Sequence, residues 1–277
     1  MKIREKDLDD LLNNIENYYY EKITEKTNDD GSIKLKNGVP DLRIINPSIH
    51  RLKAIQKRLS KVVLSKIQIP SYAYGGIKGK DNIKNANVHK GKKFNFTTDL
   101  SAFFPSINNK QVYEMFISFD FSPDVASKLV KLTTYKGKVP QGAPTSSLIA
   151  NLVFIKTGNK LSQLAIENKL AFTTFVDDIT LSGSECFKEK IQSIIQIINN
   201  DGYLISHKKT HYKAGNKIVT GVGVGQNGLT QTNSLKNKIL KEKDKDSPKY
   251  KGLINYKKRI FSFNNPIYAC PKPLSPD

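Results

Sequence analysis

The stretch "TFVDDITLSG", Thr174 to Gly183, sets two acids side by side between runs of apolar and β-branched residues. Phe172, Thr174 and Val176 alternate on one arm, Ile179 and Leu181 on the other. Alternation of this kind reads as a half-buried β-hairpin with Asp177 and Asp178 at its tip. Ordinary folding physics discourages such a tip. Like charges repel, and a carboxylate near a core is costly unless something positive meets it.

Clustered carboxylates suit phosphoryl and nucleotidyl transfer, where two divalent ions about 3.5–4 Å apart activate a hydroxyl and stabilise a leaving oxygen. Hard Mg²⁺ prefers oxygen ligands and keeps waters, so two or three carboxylates suffice. Asp99 in "FTTDLSAFFPSI" is the candidate third acid, at the end of a predicted strand and 78 residues before Asp177. The structural alternative is that Asp99 caps the next turn and the pair merely makes a polar tip. A third segment, "VPQGAPTSSLIANLVF", enters a helix from an extended Pro-Gln-Gly. Gly142 would let backbone approach a flat ligand, and Gln141 offers amide donors to phosphate or sugar.

The rest of the 277-residue chain fits a polyanion-binding protein. Its net charge is +20, and hydrophobic residues make up 38%, enough for a sizeable core. The bland alternative for the charge is a solvated basic surface. Two cysteines, Cys186 and Cys270, stand in no ligand spacing. The charged N-terminus has no apolar signal core, and no run approaches a bilayer span, so no membrane association and a cytoplasmic location are expected.

Helical spacing recurs in residues 1–24, after Pro47-Ser48, at "NNKQVYEMFISF", from Thr145 to about Lys169 and at "FKEKIQSIIQIINNDG". Turn chemistry at Asp30-Gly31 and Asn37-Gly38 predicts a hairpin, and short strands are expected near Tyr203–Ser206 and Ile218–Val224. The central order, strand, helix, helix, strand, strand, helix, strand, is that of a split β-α-β sheet. The basic tail from Gln231 predicts two or three helices in a separate small subdomain.

"TTDLSAFFPSI", "VPQGAPTSSLIANLVF" and "TFVDDITLSG", in this order, resemble the palm motifs of reverse transcriptases. "NANVH", Asn85 to His89, and "VTG", Val219 to Gly221, resemble two signatures of the bacterial retron group. The resemblance implies an α+β right-hand polymerase fold with fingers, a split β-α-β palm and a small helical thumb. Residues 1–92 would be the N-terminal helix and fingers, 93–225 the palm with a fingers helix inserted near 140–169, and 226–277 the thumb.

The resemblance also implies roles. Asp99, Asp177 and Asp178 would be the catalytic acids and hold two Mg²⁺ ions. Phe104 would be the aromatic gate that selects deoxynucleotides, with core packing as its alternative. Gln141 and Gly142 would border the incoming nucleotide, and Arg43 in "LRIINP" would meet its triphosphate. Lys209 matches the lysine near the leaving pyrophosphate, although Lys208 competes for the position. Asn85, His89, Lys249, Lys251, Lys257, Lys258 and Arg259 would bind RNA; the last five crowd around Tyr250 and Tyr256 with no acid nearby in the segment. Phe175 stands where the family usually has Tyr, and Ser147 where Pro is common. The implied substrates are dNTPs, and the implied partners are a cognate non-coding RNA, its DNA copy and an effector (toxin) protein in anti-phage defence. Other readings are another bacterial defence or intron-type reverse transcriptase, and a non-catalytic RNA-binding scaffold. A long maturase-like or nuclease extension is not expected, and that expectation weighs against the intron type.

Overall fold

The computed structural model describes residues 4–28 and 32–265, so the Asp30-Gly31 turn and Cys270 lie outside the described residues. In chain order the elements are α1 (Glu5–Asn13), β1 (Lys22–Glu25), β2 (Leu35–Lys36), β3 (Val39–Pro40), β4 (Leu42–Ile45), α2 (His50–Val62) and α3 (Asn82–Val88). There follow β5 (Phe94–Asp99), α4 (Phe103–Ser106), α5 (Asn109–Ser118), α6 (Pro123–Thr133) and α7 (Ser146–Glu167). The remainder comprises β6 (Ala171–Phe175), β7 (Asp178–Gly183), α8 (Ile191–Asn200), β8 (His211–Ala214), β9 (Lys217–Val219), β10 (Val222–Val224), β11 (Leu229–Thr230), α9 (Asn233–Lys241) and α10 (Pro248–Ser262). The chain forms two compact units, Met1–Ser71 with Ala102–Thr157, and Tyr72–Ser101 with Gly158–Asp277.

In the first unit, β1 pairs antiparallel with β4, and β2 with β3. The β2–β3 turn is Asn37-Gly38, both at positive φ (53° and 81°), as a two-residue type I′ hairpin requires. Helix α5 starts with a full capping box: Asn108 accepts from the Gln111 backbone while the Gln111 side chain accepts from the Asn108 backbone. Buried Gln56 on α2 ties this unit together. It accepts from Ser48 Oγ at 2.6 Å and donates to Tyr19 Oη at 2.9 Å and to the Leu132 carbonyl at 2.8 Å. Helix α6 was not expected from the sequence, although Pro123 at its first turn and Ala126, Leu129, Val130 and Leu132 on one buried face supply the signal.

The second unit is built on a four-stranded antiparallel sheet of order β6-β7-β5-β8. Side chains alternate between its faces. Phe96, Ile179, Leu181 and Phe172 form a buried apolar face. The other face is polar: Asp99 opposes Asp178, Thr97 opposes Thr180 and Asn95 opposes Ser182. A sheet that is apolar on one side only must cover or use its polar side, and the acids stand at one end of it.

Two expectations need correction here. The segment near Tyr203–Ser206 is not a strand but contributes one bridge, Ile205 to Leu100; the fourth strand is His211–Ala214. The basic tail has no core of its own. Leu235 of α9 and Ile260 of α10 bury with Ile83 and Ala86 of α3 and with Val219, Val222, Val224 and Leu229 of the β9–β11 sheet. These helices supply too little apolar surface to close a core alone, so they share one.

Candidate active site

The hairpin tip sits one residue earlier than the sequence suggests. Phe175 pairs with Asp178, so Val176 and Asp177 form the two-residue turn and Asp178 is the first residue of β7. Val176 has φ of 60°, in the left-handed region. A β-branched side chain there costs about 1–3 kcal/mol and persists only when its surroundings hold it. The first position of such a turn normally carries glycine.

This register places all three acids at one end of the sheet. Asp99 closes β5 directly opposite Asp178, where Cβ atoms typically stand about 4.5–5.5 Å apart. Asp177 is tied to the same strand end, because its carbonyl accepts from the Leu100 backbone at 2.9 Å. The Asp99 carbonyl in turn accepts from the Ser206 backbone at 2.7 Å. Lys209, on the short turn after Ser206, places Nζ 2.7 Å from Asp99 Oδ1. Between the two competing lysines, it is Lys209 that meets an acid of the cluster.

Electrostatics record the crowding. Burial, then the charges of Asp177 and Asp99, push the Asp178 carboxyl up to about 7, against a smaller downward pull from Lys209. For Lys209, burial favours the neutral amine, but the bond to Asp99 and the fields of Asp178 and Asp177 outweigh it and raise its pKa. Among the described residues no three acidic, imidazole or thiol groups form a ready-made metal cage. The donor set still suits a hard cation: three carboxylates at one sheet end, with burial first and the neighbouring acids second disfavouring the charge on one of them.

In the other unit, Phe103 and Phe104 differ in burial. Phe103 is buried and packs edge-on against Phe154 at 5.7 Å, whereas Phe104 is only partly buried. Gly142 has φ of 106° and lies against Ile45 and Pro47, and the Gln141 carbonyl accepts from the Asn46 backbone at 2.7 Å. That bond ties the Gln141-Gly142 loop to the end of β4, the strand that carries exposed Arg43.

The two retron-like signatures meet each other, and Asn85, His89 and Val219 within them are buried. His89 is fully buried; Nδ1 lies 2.7 Å from Ser182 Oγ and Nε2 2.8 Å from Thr173 Oγ1. Burial, with the Lys217 charge second, pushes His89 down to about 3, so the ring is neutral. Asn85 is buried as well and donates to Thr220 Oγ1 at 3.2 Å. Thr220 and Gly221, both at positive φ, make the β9–β10 turn. Asn82 donates to the Thr220 carbonyl at 2.9 Å and to Tyr256 Oη at 2.6 Å. The expectation that Asn85 and His89 touch RNA is therefore corrected: they lock α3 to the sheet and to the turn. Asn82 was not singled out by sequence, and Tyr256 only as an aromatic among the tail's cations; their long-range bond reveals what they join.

The basic segment also differs from expectation, because acids pair with it, one from α3's N-cap and two from just upstream in the tail. Arg259 pairs with Asp81, Lys249 with Glu242 at 2.7 Å and Lys251 with Asp246 at 3.5 Å. No acid partner is found for Lys257 or Lys258 among the described residues.

A family profile for reverse transcriptase (RNA-dependent DNA polymerase) matches residues 34–253. The chain belongs to the reverse transcriptase family. Similar curated reverse transcriptases come from bacterial retrons. The Retron Se72 reverse transcriptase of Salmonella heidelberg (strain 579083-10) is 37% identical over 150 residues, 53% of this chain and 40% of the relative. The Retron Ec86 reverse transcriptase of Escherichia coli is 30% identical over 200 residues, 70% of this chain and 62% of the relative. The Retron Ec73 reverse transcriptase of Escherichia coli is 30% identical over 253 residues and covers 78% of each chain. These matches place this reverse transcriptase in the retron group, and the chain spans between 40% and 62% of the first two relatives' own length. A telomerase from Candida albicans, solved in complex with a TWJ fragment of telomeric RNA, superposes with a TM-score of 0.54 at 11% identity. That match covers 84% of this chain and 48% of that one. At that identity the likeness speaks for the right-hand polymerase fold alone. Among the described residues, no helix of this reverse transcriptase is long and apolar enough to cross a membrane.

Proposed function

We propose that this retron-type reverse transcriptase copies a cognate structured non-coding RNA into RNA-linked single-stranded DNA. The observation that carries the reading is the cross-strand Asp99–Asp178 pair, with Asp177 on the adjoining tip and Lys209 against Asp99. In this reading Asp99, Asp177 and Asp178 hold two Mg²⁺ ions. Those ions would neutralise the crowded carboxylates and supply the Lewis acidity that nucleotidyl transfer needs.

The protein's own groups then bind and orient dNTPs. Arg43 would grip the triphosphate with its planar fork, Gln141 and Gly142 would border the nucleotide, and the Phe104 ring would stand against the sugar where a 2′-OH would project. Lys209 would hold a proton near the leaving pyrophosphate. Residues 1–92 would serve as fingers, 93–225 as palm and 226–277 as thumb, with Lys257 and Lys258 on RNA phosphates. The RNA, its DNA copy and an effector protein would be the partners, in anti-phage defence in the cytoplasm.

The nucleic acid that co-purifies with the protein tests this. A species on a denaturing gel that both RNase and DNase shorten is expected. Recovery of RNA alone, with no DNA under conditions of dNTP supply, would favour a binding scaffold instead.

A further inference from the structure

Val176 holds a conformation that its own chemistry opposes, so something outside the turn must impose it. The segment Tyr72–Gly75 lies alongside β6 and does so. Ala73 bridges in parallel to Thr174, the Tyr74 backbone donates to the Thr174 carbonyl at 2.8 Å, and the Thr174 backbone donates to the Tyr72 carbonyl at 2.8 Å. The segment then arrives against the turn itself. A Cβ added at Gly75 would lie 2.5 Å from the Val176 nitrogen, 2.6 Å from Val176 Cγ2 and 2.8 Å from the Phe175 carbonyl carbon. Side chains essentially never approach backbone that closely, and two of the three atoms are backbone with no rotamer to yield.

We infer that Gly75 is a positioning residue: its bare backbone presses on Val176 and fixes the tip that aims Asp177 and starts β7 at Asp178. Three constraints converge on two turn residues. The Tyr72–Gly75 segment holds the approach, Gly75 blocks Val176 from relaxing toward it, and the Leu100 amide holds the Asp177 carbonyl from the other side at 2.9 Å. A β-branched residue in place of glycine removes freedom from the turn, so the strained state, once clamped, is narrow. The clamp acts through the placement of the acids.

The consequence for chemistry rests on the polymerase reading; the clamp itself does not. The test uses Gly75→Ala and Val176→Gly in the full chain, with amide hydrogen exchange as the first readout. Gly75→Ala is expected to raise exchange at Tyr74, Thr174 and Leu100 at least tenfold while the Phe96 and Leu181 amides stay protected. Val176→Gly relieves the strain but frees the turn, so Leu100 exchange should rise there too, and this variant decides the matter if Gly75→Ala does not fold. Single-nucleotide incorporation is the second readout. The rate at saturating dNTP should fall at least tenfold in Gly75→Ala, with KM for dNTP and affinity for RNA within about twofold of wild type. Unchanged exchange at all three amides in the folded variants overturns the clamp. Raised exchange with an unchanged incorporation rate overturns the positioning role. A wild-type protein that incorporates nothing defeats the polymerase reading instead, and the exchange result still judges the clamp.

Discussion

Replacing Asp178 by Asn should stabilise the ion-free protein, and more so as pH rises. The folded-state pKa of Asp178 is raised from 3.8 to about 7. A folded carboxyl that binds its proton more tightly than the unfolded chain does contributes stability in full below about pH 3.8. That contribution is lost as pH climbs through 7, because over this window the native state holds the extra proton. Each unit is about 1.4 kcal/mol, so the whole window is on the order of 4 kcal/mol. Between pH 5 and 8 roughly two units of it remain, and partial exposure trims that to about 2 kcal/mol. Asp178→Asn lacks the charge and escapes the loss. Thermal unfolding of both proteins in EDTA at pH 5 and pH 8 reads the effect. The variant's advantage should grow by about 2 kcal/mol between the two, or roughly 4–8 °C in Tm for a chain of this size. An advantage that is the same at both pH values would refute the claim that Asp178 is destabilised by its own ionisation.

Phe104→Ala should admit ribonucleotides. Sugar discrimination in single-nucleotide incorporation is expected to fall at least tenfold, about 1.4 kcal/mol of differential transition-state binding, and unchanged selectivity would assign the ring to packing. His89→Phe should cost about 2–3 kcal/mol in urea unfolding, because Ser182 and Thr173 lose their buried partner, while the salt dependence of RNA binding stays put. Lys257→Ala with Lys258→Ala should flatten the slope of log affinity against log salt by roughly 1.4–1.8 units, depending on whether the site is single-stranded or duplex-like. Arg259→Ala breaks its pair with Asp81 and is expected to lower stability as well as affinity.

What was legible in the sequence was what repeats locally. Aromatic and β-branched alternation marked β5, β6 and β7; apolar spacing marked α7 and α8; Asn37-Gly38 marked its turn. The three acids were legible because Asp99 and the Asp177-Asp178 pair each end or begin a strand with no local use for a charge. What was hidden depends on contacts distant in sequence. Val176 reads as a strand residue by propensity, and the contacts that hold it at the tip, the Tyr72–Gly75 segment about 100 positions away among them, are distant in sequence. Asn85 is polar and sits in a Lys- and Asn-rich stretch, so it reads as surface, and His89, a lone histidine that could equally be structural, shows no partner in its own neighbourhood. Their hydroxyl partners Ser182, Thr173 and Thr220 lie 84 to 135 residues further on. The Arg259 ion pair was missed for the same reason, since Asp81 stands 178 residues before it, whereas Glu242 and Asp246 lie in the tail itself, close to Lys249 and Lys251.

The central claim is that three carboxylates gathered at one end of a sheet catalyse RNA-templated DNA synthesis. Incorporation of a single dNTP opposite an RNA template in Mg²⁺, wild type against Asp177→Asn, measures it most directly. The account predicts extension by wild type and a loss of about a thousandfold or more in the variant, roughly 4 kcal/mol of transition-state stabilisation, with RNA affinity nearly intact. An Asp177→Asn protein that extends the primer at the wild-type rate would contradict it.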